Sequence, residues 1–280
     1  MRLISNQIKI LPTRTEMSRA AADDVAAAMR AVAEKKDSIT MCFAAAPSQD
    51  DVLAALCQIE GLPWEKVVAF HLDEYIDLPR GHANSFEVYL KAHLFDIVKP
   101  GTIFYMADTE GTPEERCAQY DRLIEDHGGI DIAIIGIGEN GHIAFNEPGS
   151  SFYTDKLNDV IQIDDKSVQQ QYRDYKDHPN PEARYATLAD VPRNAITMTV
   201  PAICACRNIF CVVPAEPKAD AGGFRQLRCL LANVDDDGFR LLVAWMVAAL
   251  RPDVPCPILV LTGPQGSAKS SAAKTLRMLI

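Results

Sequence analysis

No stretch of this 280-residue chain is apolar for long enough to span a bilayer; even residues 241–250 are short and are flanked by Arg240 and Arg251. The opening residues, MRLISNQIKILPTRTE, lack an apolar signal core and an obvious cleavage site, so a cytoplasmic protein without a membrane partner is expected. Positive charge is scarce as well. With 28 Lys and Arg against 38 Asp and Glu, the formal charge of −10 argues against a general nucleic-acid binder, which needs a basic footprint. It leaves room for an anionic small substrate, because a few local cations outweigh a distant, screened field. The eight cysteines show no paired metal-ligand spacing, and Cys204, Cys206 and Cys211 lie in apolar surroundings. Reduced, core-filling thiols are expected, with no zinc site or disulfide framework. No internal repeat is present. The remaining composition, 48% hydrophobic and 24% charged, suits a soluble globular protein with one large domain or a domain plus an appendage.

Against that background the chain alternates two patterns. Thr13 and Glu16 have capping-box spacing and precede an alanine-rich segment to about Lys35, in which Met17, Ala20, Ala21, Val25, Met29 and Val32 mark an apolar face. Residues 39–43 read as a short buried strand, followed by a small-residue loop at 44–48 and a helix over 50–56. Residues 64–72 give a second strand ending in Asp73, Glu74 and Tyr75, and 86–95 have helical spacing. Thr112, Pro113 and Glu115 cap a helix that runs to about His127 and is stopped by Gly128 and Gly129. The apolar run 130–137 is short enough for a buried parallel strand. Residues 151–194 are polar and irregular, a lid or a surface excursion, and 195–200 and 208–213 resume strand character. This alternation predicts an α/β fold, a Rossmann-like open and mostly parallel sheet with helices on both faces.

Polar clusters follow the strands: the loop ending at Ser48, the pair Asp73 and Glu74, the stretch from Asn140 to Glu147, and Lys218. A parallel sheet brings such features to one edge, where ligands bind in open α/β folds. A strand-end carboxylate can act as a base, and a histidine between an amide and a carboxylate can move a proton near neutral pH. Each piece has a plainer reading: solvated carboxylates at 73 and 74, a structural loop histidine at 142, a turn fixed by Glu147 before Pro148. Their joint placement, with Gly138 and Gly141 around His142, favours a site for proton transfer on a polar small molecule.

Two long motifs make a resemblance specific. FHLDEYIDLP at 70–79 and GIGENGHIAFNEPGS at 136–150 resemble the defining motifs of the glucosamine-6-phosphate deaminase family, in the family's order, with likeness running from about Lys66 to Lys218. The resemblance implies aldose to ketose isomerisation coupled to deamination of glucosamine 6-phosphate, giving fructose 6-phosphate and ammonia. By the same carry-over Asp73 is the base, His142 opens the sugar ring, and Glu147 and Asn140 orient and tune the imidazole. Lys218 and Arg173 match residues that hold the substrate phosphate, and Ser48 ends the loop expected to receive it. The resemblance implies no metal and no organic cofactor, a sugar phosphate as the small-molecule partner, and the homo-oligomeric assembly common among relatives.

Two departures qualify it. The family's phosphate loop is rich in glycine and threonine, whereas this chain has Ala44, Ala45, Ala46, Pro47 and Ser48; Pro47 has no N–H to offer an anion. Past about Ala221 the deaminase pattern ends. There LLANVDDDGFRLLVAWMVAALRP and ILVLTGPQGSAKSS resemble the opening of a phage-type P-loop ATPase, with Gly263, Lys269 and Ser270 in place but Ala268 where the second loop glycine belongs. No acidic strand for magnesium follows, so ATP hydrolysis is not expected; residues 257–261 read more simply as one further strand. The expected organisation is a deaminase-like domain over 1–221 and an atypical segment over 222–280. The alternatives to deamination are a catalytically silent sugar-phosphate-binding module and a hydrolase of the 6-phosphogluconolactonase kind.

Overall fold

The computed structural model describes residues 9–138, 141–147, 154–178 and 180–214. The chain divides into two units, Met1–Pro214 and Ala215–Ile280, and all described residues belong to the first. Asn140 and Lys218 lie outside the described residues, as do Gly263, Lys269 and Ser270 of the degenerate loop.

Helix α1 (Arg14–Ala33) begins at the cap that the sequence marks: the Thr13 hydroxyl accepts the Glu16 N–H at 3.1 Å and donates to the Glu16 carboxylate at 2.9 Å. Its buried stripe is Ser18, Ala22, Val25, Ala26 and Met29, so Val25 and Met29 point inward as expected while Met17 and Ala20 sit at the margin. Strand β1 (Ile39–Phe43), helix α2 (Asp50–Cys57) and strand β2 (Val67–His71) follow. The expected strand over 64–72 starts later, because Trp64–Lys66 forms a 3₁₀ turn, and its polar end is a separate short strand, β3 (Asp73–Tyr75). Helix α3 (Phe86–Leu90) widens into a π turn at Lys91–Phe95 and closes as α4 (Asp96–Val98), leading to the two-residue strand β4 (Thr102–Ile103).

Helix α5 (Pro113–Asp126) opens with the predicted reciprocal cap between Thr112 and Glu115, at 2.8 and 3.3 Å. Strand β5 (Ile132–Ile135) comes next. The stretch that looks irregular in sequence then supplies β6 (Asn158–Gln162) and α6 (Asp165–Tyr175). Strand β7 (Asn194–Met198), helix α7 (Val200–Ala205) and strand β8 (Asn208–Cys211) complete the described unit.

Five strands form a parallel sheet in the order β4-β2-β1-β5-β8. Alternate residues of its central strands feed two separate cores. Ile39, Met41, Phe43, Val67, Ala69, Ile132 and Ile134 face the helices α1 to α3, whereas Cys42, Val68, Phe70, Ala133 and Ile135 face α5 and α7. Burial on both faces explains why these strands read as unbroken apolar runs; each large side chain so buried contributes roughly 1.5–3 kcal/mol.

The segment 195–200, which has strand character in the sequence, supplies the middle strand of a second sheet, β3-β7-β6, which is antiparallel throughout. Leu72 joins the two sheets: its N–H donates to Phe43 O at 3.1 Å, and its carbonyl accepts the Met198 N–H at 2.7 Å. Among the described residues no helix is long and apolar enough to cross a membrane.

Candidate active site

The carboxyl edge of the parallel sheet is organised by Gln49, a residue that sequence reasoning passed over. It is wholly buried, and its side-chain N–H₂ donates to Ser48 Oγ at 3.2 Å and to Val212 O at 3.1 Å. A Cβ on Gly136 would come within 2.8 Å of the same nitrogen, so glycine at the end of β5 gives the amide its place. The ends of β1, β5 and β8 therefore converge on one side chain. The loop 44–48 is held by its carbonyls: Ala46 O accepts the Tyr89 hydroxyl at 2.7 Å, and Pro47 O accepts Arg14 Nη2 at 3.0 Å.

Asp73 and Glu74 lie next to each other in β3 and are both buried, yet their surroundings differ. Glu74 accepts three backbone N–H groups, from Tyr75, Phe86 and Glu87, at 2.9–3.0 Å. It thus caps the start of α3, and the helix N-terminus favours its negative charge. Burial nevertheless raises its pKa to about 7, with the three donors working in the opposite direction. The Asp73 carboxyl is also raised well above its ordinary value, by burial first and by the neighbouring Glu74 second. A buried carboxyl with high proton affinity at a strand end is suited to act as a base on carbon.

His71, inside the first motif but given no role from sequence, holds the Asp73 backbone. Its Nε2 accepts the Met106 N–H at 2.9 Å, so the ring proton is on Nδ1, which donates to Asp73 O at 2.8 Å. Burial lowers its pKa to about 4, and the ring is neutral at physiological pH. A histidine closing an apolar strand, beside the strand-end acids, is the sequence signal for such a role.

The second motif turns sharply after β5. Gly138 N–H donates to His142 O at 2.8 Å, and Gly141 N–H to Gly138 O at 3.0 Å. Gly141 at φ +90° and Ala144 at φ +52° occupy the left-handed region, an unusual conformation for alanine. The imidazole of His142 packs directly over Gly138, where a Cβ would collide with the ring. This is the physical reason for glycine at 138. The His142 Nδ1 lies 3.7 Å from Glu147 Oε2 and 3.2 Å from the buried Ser167 hydroxyl of α6.

One residue joins the two motifs. Thr197 of β7 pairs in register with Asp73, and its hydroxyl accepts the Phe145 N–H at 3.0 Å. Asn146 adds a second tie, donating its amide to Met198 O at 2.7 Å. The second sheet therefore carries the His142 loop beside the strand of Asp73.

Of the residues expected from sequence, Asp73, His142 and Glu147 are built into this connected structure. Ser48 lies on the loop organised by Gln49. Arg173 is exposed in the last turn of α6, turned about 120° around the helix from Ser167. Thr197, Ser167, Gln49 and His71 are additions from the structure. Two further cavities are distinct from these groups. One, of about 240 Å³, is lined by Glu74, Arg80, Glu87 and Arg116, and the other, of about 310 Å³, lies around Ile130 and Met198.

The open parallel sheet with a histidine and carboxylates at its carboxyl edge defines an α/β enzyme of the Rossmann-like kind. Residues 12–174 match the family described as glucosamine-6-phosphate isomerases/6-phosphogluconolactonase, and the chain belongs to that family. It is 34% identical over 195 residues to a glucosamine-6-phosphate deaminase of Bacillus pumilus, covering 68% of this chain and 76% of that one. A deaminase of Halalkalibacterium halodurans is 34% identical over 163 residues, covering 58% and 61% of the two chains. A deaminase of a Geobacillus species is 34% identical over 209 residues, covering 73% and 77%. Among solved structures, a monomeric glucosamine-6-phosphate deaminase superposes with a TM-score of 0.63 at 26% identity, over 73% of this chain and 80% of that one. The 6-phosphogluconolactonase of Trypanosoma cruzi shares the fold with a TM-score of 0.59 at 14% identity, over 90% and 88%. Residues 226–280 match a different family, described as actinomycete integrative conjugative element replication protein.

Proposed function

We propose that this protein converts glucosamine 6-phosphate to fructose 6-phosphate and ammonia. The observation that carries the reading is the bridge at Thr197, which ties the strand of Asp73 to the loop of His142 and Glu147; the 34% identity to deaminases supports it. In this reading His142 takes the proton of the anomeric hydroxyl and returns it to the ring oxygen, while C1=O forms and the bond from C1 to the ring oxygen breaks. Asp73 then removes the proton from C2 and delivers it to C1, while a proton of the 2-ammonium group passes to O1, so that C1=O becomes C1–OH as the C=N bond forms at C2. The C=N bond formed at C2 adds water and loses ammonia, leaving the ketose. Glu147 balances the charge on the imidazole while it holds the extra proton. Asn140 orients the ring without adding a charge, and Ser48, Arg173 and Lys218 receive the phosphate.

Ammonia release from glucosamine 6-phosphate tests the reading. Turnover is expected from the wild-type protein and is expected to be lost in Asp73→Asn, with the circular dichroism spectrum unchanged. A folded wild-type protein that releases no ammonia from this substrate or its galactosamine counterpart would refute it.

A further inference from the structure

We propose that Gln49 is a positioning residue for the substrate phosphate, and that it acts through Ser48 by leaving the serine hydroxyl its proton to donate. The proposal rests on the reading of Ser48 as a receiver of the phosphate. Chemistry fixes the direction of the hydrogen bonds involved. The amide nitrogen of Gln49 can only donate, and the Val212 carbonyl 3.1 Å from it can only accept. The same nitrogen lies 3.2 Å from Ser48 Oγ, so the hydroxyl is the acceptor of that bond. Reversed, the amide would set its oxygen against Val212 O and offer the serine proton an acceptor. Val212 therefore holds the amide in the orientation that leaves the proton free.

The surroundings keep this arrangement in place. Glycine at 136 makes room for the amide, since a Cβ there would come within 2.8 Å of the nitrogen. Gln49 is 0% exposed, and its Oε1 has no partner among the described residues, so the side chain is held by its nitrogen alone. Ser48 is half-buried, and among the described residues no acceptor takes its proton.

An anion explains why such a proton matters. Phosphate oxygens accept hydrogen bonds, and a hydroxyl serves them only when its proton is free. A glycine-rich loop would present backbone N–H groups instead. This loop has few to give: Pro47 has none, and the Gln49 N–H is already bonded to Ala46 O at 2.8 Å. The acids that open α2 have partners of their own, Asp50 lying against the Tyr89 hydroxyl and Asp51 pairing with Arg14. A side-chain O–H set by Gln49 thus takes the place of a backbone donor.

The test is a double-mutant cycle of Ser48→Ala, Gln49→Met and the pair, read as kcat and KM for glucosamine 6-phosphate and as the Kd of fructose 6-phosphate by calorimetry. Ser48→Ala should raise KM and Kd about tenfold, the scale of one hydrogen bond to a charged group, and Gln49→Met about fivefold. In each, kcat should change less than about twofold. The double variant should bind no more weakly than Ser48→Ala, because Gln49 has then lost the group through which it acts. Gly136→Ala displaces the same amide and should raise Kd in the Ser48 protein but not in Ser48→Ala; it replaces Gln49→Met if that variant does not fold. Losses that multiply in the double variant, or an unchanged Kd when the amide alone is removed or displaced, would overturn the proposal. Coupled losses of fructose 6-phosphate binding in a protein that releases no ammonia would keep the role of Gln49 and remove the deaminase reading. A folded wild-type protein that binds no fructose 6-phosphate would remove both.

Discussion

Asp73 and Glu74 are adjacent in sequence and equally plain as strand-end acids, but they point to opposite sides of β3 and have different work. Glu74 accepts three backbone N–H groups and anchors the start of α3. Replacing it with alanine leaves three buried donors without their acceptor, and charged hydrogen bonds of this kind contribute about 1.5–3 kcal/mol each. Glu74→Ala should therefore lower stability by roughly 3 kcal/mol or more in urea unfolding, whereas Asp73→Asn should leave stability nearly unchanged. The pH dependence has a definite sign. Because burial raises Glu74 from 4.5 to about 7, the folded state holds this proton more tightly than the unfolded state does. The group's contribution is complete below about 4.5 and declines as pH rises toward 7. The unfolding free energy of the wild type minus that of Glu74→Gln should thus fall across that window. A difference that stays flat would assign the carboxylate an ordinary pKa. For Asp73 the raised pKa means that a base is present only above the usual carboxylate range. The acid limb of kcat/KM is accordingly expected above the ordinary range of a carboxylate, and Glu74→Gln should move it downward by removing a neighbouring negative charge.

Legibility from sequence differs from element to element. Strands β1, β2 and β5 are readable because burial on both faces leaves runs of apolar residues such as Ile39 to Phe43 and Ile132 to Ile135. Helices α1 and α5 are readable from their capping residues. Strand β6 and helix α6 are not. Asn158 to Gln162 are mostly half-buried, and α6 buries only Ser167 and Val168, so neither carries an apolar period. The same limit applies to the site: the motif residues Asp73, His142 and Glu147 stand out by chemistry, but Thr197 looks like any β-branched strand residue until its register opposite Asp73 is known. That register yields a prediction. Thr197→Val keeps shape and strand propensity but removes the acceptor of the Phe145 N–H. It should cost about 1–3 kcal/mol in stability, the cost of one unsatisfied buried donor. It should also reduce kcat/KM more than a surface substitution of equal stability cost, because the His142 loop loses its tie to the Asp73 strand. Thr197→Ser should retain both properties. Chemical denaturation and steady-state kinetics on the two variants check the pair.

At the scale of the whole molecule, the fold does not decide which of the family's two reactions takes place. The same open sheet superposes on a deaminase and on a lactonase with TM-scores of 0.63 and 0.59, so the choice rests with the site. The two chemistries differ in what happens at carbon. Lactone hydrolysis brings water to a carbonyl and moves no proton between carbons. Isomerisation needs a base that takes a proton from C2 and gives one to C1, and the role is proposed here for Asp73, whose carboxyl is raised by burial, its backbone fixed by His71 and its strand tied through Thr197. A proton held on Asp73 between the two steps can exchange with solvent. Fructose 6-phosphate formed in D₂O should therefore carry deuterium at C1, detectable by mass spectrometry, and 6-phosphogluconolactone offered to the same preparation should disappear no faster than it does without protein. Rapid lactone hydrolysis without ammonia release would move this chain to the other branch of its family. Ammonia release without any deuterium at C1 would retain the deaminase and show that the Asp73 carboxyl is sealed from water during the transfer.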